Sequence, residues 1–409
     1  MKQFKRINYY AFIIHALFLA LTVNFIDTNT VVPSLISKGG AHAYHMGILS
    51  AILIGGSKLM QLPFASLVAA QKKKKVSLLI GINIRVASLL GLGHIVSLAT
   101  GGININVWGV IFIMTVFSFS GSYANIAYTD IMGRVIKADL RKKLLINKQL
   151  ISSIGLILSS VIVKYILSNI AYPQNYSLLF YLAAALLLAG TIGFWLIDEG
   201  EESELEREKK RPKLKQFIGI LKDDKNFRQY LILLNSSGVI ISTLPFLLLF
   251  GKNHFEIDAS MTGTFLLIQM GGSLITTVLL RFLSKNQKYK FLIYFFIFVS
   301  SLIPIIAIIA ANNLFLFALV FLLGGVSFSL SEILFAGILL EISNDGNRAI
   351  YTGLSGFGSV MQVIYPLVFA TAVTYLGYNV VFILTTFYIL LGLPAAHNLR
   401  CNRLEVTYL

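Results

Sequence analysis

Asp27 in NFIDTNT, Lys58 in GGSKLMQLP, Arg85 in GINIRVASLL and Glu332 in FSLSEILF each lie deep in a run of apolar residues. A charge at such depth needs a partner, a wet cavity or a task. A carboxyl there can bind and release a proton, which makes Asp27 the first proton-coupling candidate and Glu332 the second. On a continuous helix Asn24, Asp27 and Thr28 share one face by their i, i+3 and i+4 spacing. The competing reading makes Asp27 a permanent anion paired with Lys58 or Arg85, and Glu332 a hydrogen-bonded structural group. Lys58 and Arg85 either attract an anionic solute or act as those counter-ions, and both readings stand. Lys148 and Lys164 fall near the ends of their apolar run, where snorkelling accounts for them. Asn24, Thr28, Asn125, Asn235, Gln269 and Gln362 are uncharged polar groups at central depth. They suit a cavity wall, or hydrogen bonds between helices.

Other chemistries lack their residues. Cys401 is the sole cysteine, so there is no intrachain disulfide, cysteine-based zinc site or iron–sulfur cluster. His15 and His94 stand singly in apolar runs, His42, His45 and His254 lie between runs, and no H-x-x-x-H or H-E-x-x-H spacing occurs. A G-x-x-x-x-G-K-[ST] loop and a Ser/His/Asp constellation are missing too, so neither an enzyme nor an ATP-driven pump is expected. No metal and no cofactor are called for.

The elements that must position these groups are set by composition. A mean hydropathy of +0.78 with 56% hydrophobic and 13% charged residues describes a polytopic membrane protein. Continuous apolar runs of about 20 residues predict helices, since a barrel strand alternates over about 10. Twelve spans are predicted, near 9–36, 46–70, 76–99, 106–129, 146–170, 176–197, 229–251, 261–284, 291–311, 314–341, 351–376 and 379–397. Of the 34 Lys and Arg, only Lys38 and Lys252 fall outside on one face of the membrane. Lys58, Arg85, Lys148 and Lys164 lie within spans, and all the others fall on the opposite face. By the positive-inside rule that face, with both termini, is cytoplasmic, and a bacterial cytoplasmic (inner) membrane is the expected setting. The net charge of +16 is thereby explained by orientation and anionic lipid, not by nucleic acid.

The polar stretch 198–228 divides the chain into residues 1–197 and 229–409, each with six spans. Within it Leu214, Phe217, Ile218 and Leu221 recur at helical spacing, which suits either an amphipathic helix at the cytoplasmic interface or a tethering linker with some helical character. The halves echo one another at a nearly constant offset. Asn24 and Pro33 correspond to Asn235 and Pro245, FSFSGS at 117–122 to VSFSLS at 326–331, Asp130 to Glu341, and Arg141 to Arg348.

With this organisation, and with LPFASLVAAQKKKK, YTDIMGRVIKADLRKKL and NDGNRAIYTGLSG after spans 2, 4 and 10, the chain resembles the major facilitator superfamily. The loop after span 2 departs from the family pattern, because its acid is absent and four lysines follow Gln71. The resemblance implies an all-α fold of two pseudo-symmetric six-helix halves and a monomer. It further implies secondary-active transport of a small organic solute by alternating access, with a site lined mainly by spans 1, 2, 4, 5, 7, 8, 10 and 11. Protons are the simplest coupling ion, Lys58 and Arg85 bias the cargo toward anions or zwitterions, and lipids are the other partners. Asp130, Arg134, Arg141, Glu341 and Arg348 are the candidates for a cytoplasmic gate. An exporter of drugs, lipids or amphiphiles on the same fold, and a non-transporting receptor or assembly factor, remain alternatives.

Overall fold

The computed structural model describes residues 2–71, 73–99, 105–136, 138–197, 199, 214–283, 289–343 and 348–400. Every regular element among them is helical. The first part of the chain forms α1 (Lys2–Phe25), α2 (Val31–Lys38), α3 (Ala43–Ser50), α4 (Ser57–Leu59), α5 (Gln61–Ala70), α6 (Lys74–Ser97), α7 (Val107–Val135), α8 (Ala138–Asn169) and α9 (Gln174–Trp195). After the central segment come α10 (Leu214–Asp223), α11 (Lys225–Ser236), α12 (Ile240–His254), α13 (Ala259–Leu283), α14 (Tyr289–Ile309), α15 (Leu314–Ile342), α16 (Arg348–Phe357), α17 (Met361–Leu390) and α18 (Gly392–Asn398). The helix expected between Leu214 and Leu221 is α10, while the more acidic part of the central loop lies outside the described residues.

Two compact units emerge, one of residues 1–41 with 56–212 and one of residues 42–55 with 213–409. In the first, α1 packs on α8 and α9, and α6 on α7 and α9; in the second, α13 packs on α15, α14 on α15 and α17, and α3 on α17. Small residues bring these helices together. A Cβ at Gly272 would stand 2.2 Å from the Leu322 carbonyl oxygen, and one at Gly325 would stand 1.9 Å from that of Gln269. Backbone thus rests on backbone at the α13–α15 crossing, as small residues allow in membrane bundles.

Among the described residues nine helical stretches are long and apolar enough to cross a membrane. The predicted twelve are compatible with this for three local reasons. The second span is broken by a π-helical segment, Ala51–Gly56, between α3 and α4. The apolar part of α8 is the shorter stretch Ile154–Asn169. In α17, Gly377 takes φ +76, so the element is two helices meeting where the sequence separates spans 11 and 12.

The first predicted span is not one helix. α1 stops at Phe25, and Asp27 lies in the turn before α2, so Asn24, Asp27 and Thr28 do not share a helical face. The string DTNT explains the break, because an Asp side chain can take the backbone donors that a helix would otherwise use. Asp27 Oδ1 accepts from Asn29 N (3.0 Å), Thr30 N (2.7 Å) and Thr30 Oγ1 (2.8 Å). Asn24 ties off the other side of the break by donating through Nδ2 to the Leu156 carbonyl (2.6 Å) and Ser159 Oγ (2.9 Å) on α8. The seventh span breaks at the same relative place, in a 3-10 turn at Ser237–Val239. There Asn235 Nδ2 donates to the Gly358 carbonyl (2.9 Å), and its Oδ1 accepts from Met361 N (2.9 Å) at the start of α17. A broken helix in lipid must have its freed backbone groups satisfied by protein; Asp27 does this for Asn29 N and Thr30 N at the first break, and the Tyr388 hydroxyl donates to the Asn235 carbonyl (3.2 Å) at the second.

The lysine run after the second span closes helix ends. Lys74 is buried and donates through Nζ to the carbonyls of Val68 (2.8 Å) and Gln71 (2.6 Å) at the end of α5. Lys75 Nζ reaches the Trp195 and Ile197 carbonyls at the end of α9, at 2.6 and 2.9 Å. A cation on the last carbonyls satisfies orphan acceptors and complements the helix dipole.

Candidate functional site: a cationic cavity in the first unit

Four helices of the first unit line an open cavity of about 420 Å³. Arg85 comes from the middle of α6 and enters beside Gly121, where a Cβ would stand 3.3 Å from the guanidinium Nε. The guanidinium lies over the Phe117 ring, 4.3 Å from its centroid. Its Nε is buried and has no hydrogen-bond partner among the described residues. Gly121, Asn125 and Tyr128 line the wall from α7, recurring at i, i+4 and i+7 as a helical face requires. On α8, Lys148 donates to the Tyr128 hydroxyl and lies 4.6 Å from the centroid of that ring. His15 completes the polar side from α1. Its Nδ1 meets the Gly190 carbonyl at 3.2 Å, and its ring packs on Phe194 at 4.6 Å between centroids. Leu19, Val23, Leu78, Ile82 and Leu156 form much of the remaining wall. Among the described residues that line it there is no Asp or Glu, so the site holds two cationic side chains without a carboxylate.

The sequence candidates divide on this geometry. Arg85 and Asn125 line the cavity; Lys58 sits in α4, and Thr28 in the turn after α1, away from its lining. Neither Lys58 nor Arg85 is a hydrogen-bond partner of Asp27, which is held by Asn29 and Thr30. Asn24 and Asn235 brace helix breaks. Gln269 and Gln362 are buried in the second unit, Gln362 behind Gly55, with its Oε1 unpartnered among the described residues. Glu332 is exposed on α15 rather than enclosed. Asp130 is half-buried at the far end of α7, whereas the side chains of Arg134, Arg141, Glu341 and Arg348 fall outside the described residues.

Lys148, His15 and Tyr128 are cavity residues that the sequence does not nominate. A span beginning at 146 makes Lys148 terminal, and in the structure it precedes the apolar stretch Ile154–Asn169 of α8 yet still lines the cavity. The spacing Lys148, Ser152, Leu156 on one face of α8 is the signal that points to it. The third span also enters the lining, through Leu78, Ile82 and Arg85, beyond the set implied by the resemblance.

In the second unit an open groove of about 770 Å³ is lined by Asp223, Asp224, Lys225, Tyr351 and Arg400, among others. Three of its polar side chains, those of Asp224, Asn226 and Tyr351, are engaged in structure. Asp224 caps α11 through Phe227 N (2.9 Å) and accepts from the Tyr351 hydroxyl (2.6 Å), while Asn226 Oδ1 accepts from Arg400 N (3.1 Å).

An all-helical multi-pass bundle with a charged cavity inside one unit has the form of a polytopic membrane transporter. The chain belongs to the Major Facilitator Superfamily, whose family model matches residues 17–361. Among solved structures, a mutant form of the nucleoside transporter NupG is similar with a TM-score of 0.73 and 11% identity, over 95% of this chain and 99% of that one. A POT family transporter in complex with 5-aminolevulinic acid gives 0.72 and 10%, over 95% of each chain. The human organic anion transporter MFSD10 gives 0.63 and 12%, over 96% and 99%. At these identities the likeness is one of fold. No curated protein matches the chain in sequence.

Proposed function

We propose that this transporter is secondary-active and moves a small organic anion or zwitterion by alternating access, driven by a proton gradient across a bacterial inner membrane with both termini cytoplasmic. The observation that carries the reading is the pairing of Arg85 with Lys148 in a cavity whose described lining has no carboxylate. Partly buried cations without a counter-charge are costly, and a solute carrying negative charge relieves that cost. An arginine side chain keeps its proton in proteins, so Arg85 is a permanent attractor. Asp27 and Glu332 are the proton carriers the sequence nominates.

The test is uptake and efflux in proteoliposomes under an imposed pH gradient, with a panel of anionic, zwitterionic and cationic solutes. Gradient-driven accumulation of an anion or zwitterion that falls at least tenfold in Arg85→Gln is expected. Accumulation of cations alone, unaltered by that substitution, would overturn the reading of the cargo. Asp27→Asn addresses coupling separately: a normal rate of accumulation in that variant assigns the proton to another group.

A further inference from the structure

We infer that the Arg85 cavity takes an organic oxyanion with an apolar body, a carboxylate or phosphate monoester rather than a sugar phosphate or another polyhydroxylated anion. The inference rests on the transporter reading above and narrows its substrate class.

Two observations define the head group. Phe117 covers one face of the Arg85 guanidinium, which directs its polar edge elsewhere, and Nε on that edge is buried with no acceptor among the described residues. Buried donors are nearly always paired in native proteins, so an unpaired one in a cavity wall marks a place for an acceptor. A guanidinium edge presents its N–H groups as a fork matched to the two oxygens of a carboxylate or phosphate. Lys148 adds a second positive charge, and the Tyr128 hydroxyl holds it in place on the same wall. Gly121 is what makes room, because any side chain there would crowd the guanidinium.

The body of the ligand is defined by the apolar part of the wall, since beyond the head-group residues only His15, Asn125 and Ser152 add polar side chains to the lining. Leu19, Val23, Leu78, Ile82 and Leu156 offer no side-chain donor or acceptor. A hydroxyl laid against them gives up its water partners without replacement, which weakens binding by about tenfold or more for each such group. A ring or short chain gains from the same wall by leaving water. The cavity volume of about 420 Å³ lies in the range that holds small organic ligands.

Binding of four probes to the full chain in lipid nanodiscs, without any gradient, tests the proposal through ligand-dependent shifts in melting temperature. The probes are benzoate, phenyl phosphate, glucose 6-phosphate and inorganic phosphate. Phenyl phosphate or benzoate is expected to stabilise the protein at millimolar concentration, and which of the two does so identifies the head group. Glucose 6-phosphate and inorganic phosphate should be at least tenfold weaker than the better aromatic probe. Arg85→Gln should reduce that binding at least tenfold, and Lys148→Gln supplies an independent variant should the first fail to fold. Equal stabilisation by glucose 6-phosphate, stabilisation by none of the four, or binding unaffected by both substitutions would overturn the proposal. Binding as expected with no transport of any solute would sink the transporter reading of the site alone. Transport of a polyhydroxylated anion with no aromatic binding would sink this proposal alone.

Discussion

Asn24 and Asn235 carry out the same task in the two units, each fastening a broken helix to a neighbouring helix. Asn24→Ala and Asn235→Ala each strand buried groups that had been paired, at a cost of about 1–3 kcal/mol. Each should lower the melting temperature in detergent, and an unchanged value would deny the bracing role. Asp27→Ala should destabilise more than Asp27→Asn, since the amide keeps an acceptor for Asn29 N and Thr30 N. His45 offers a pH test. It is buried beside His42, and its Nδ1 accepts from His42 N at 3.0 Å. Burial first, and the neighbouring His42 second, lower its pKa from the usual 6.5. Below that value the unfolded chain binds more protons than the folded one, so the stability tied to His45 is intact above pH 6.5 and declines as pH falls toward the lower folded value. Melting at pH 7.5 and 5.5 should therefore show an acid-side loss that is smaller in His45→Gln. Arg85 is legible in the sequence because an arginine ten residues inside an apolar run is too costly to keep without a cavity or a partner. Asp27 is harder to place from the string DTNT, where a cap and a helix continuation differ only in which donors the side chain takes.

At the scale of elements, close backbone approach decides which changes the bundle tolerates. Gly325→Ala puts a methyl group on the Gln269 carbonyl, and Gly272→Ala does so on that of Leu322. Neither obstacle is a flexible side chain that can swing away, so each substitution should cost about 1–3 kcal/mol or more through separation of α13 and α15. Reduced yield of folded protein and a lower melting temperature are expected; Gly271→Ala, where nothing lies within 4 Å, is the matched control and should be silent. The lysine run permits a similar contrast. Lys74→Met removes both bonds to the end of α5 and should destabilise, while Lys73, exposed and just before α6, can be replaced with little effect. The basic cluster is legible in the sequence as a run of charge at the end of an apolar span. Its capping role is not, because it depends on helices that end beside the lysines only after folding, one of them over a hundred residues away.

At the scale of the whole molecule, apolar run length and the repeated offset of Asn24 and Asn235 carry most of the fold. They are properties of single segments, and a bilayer imposes them segment by segment. The partition of the second span is not readable in this way, since residues 42–55 cluster with the second unit and residues 56–212 with the first. The change falls at the end of the π-helical segment Ala51–Gly56. Gly47 and Gly55 mark how closely residues 42–55 are fitted to α17, where a Cβ would meet the Pro366 carbonyl at 2.6 Å and the backbone of Gln362 at 2.5 Å. This allegiance has a consequence for any attempt to produce the protein as two polypeptides, severed in the central segment. The amino-terminal piece would carry away a helix that belongs to the other unit, leaving one product with an orphaned α3 and the other with an uncovered α17. Each should be unstable and quickly degraded when made alone, and both should accumulate when made together in one cell. A carboxyl-terminal piece that accumulates unaided would show that α17 does not depend on residues 42–55.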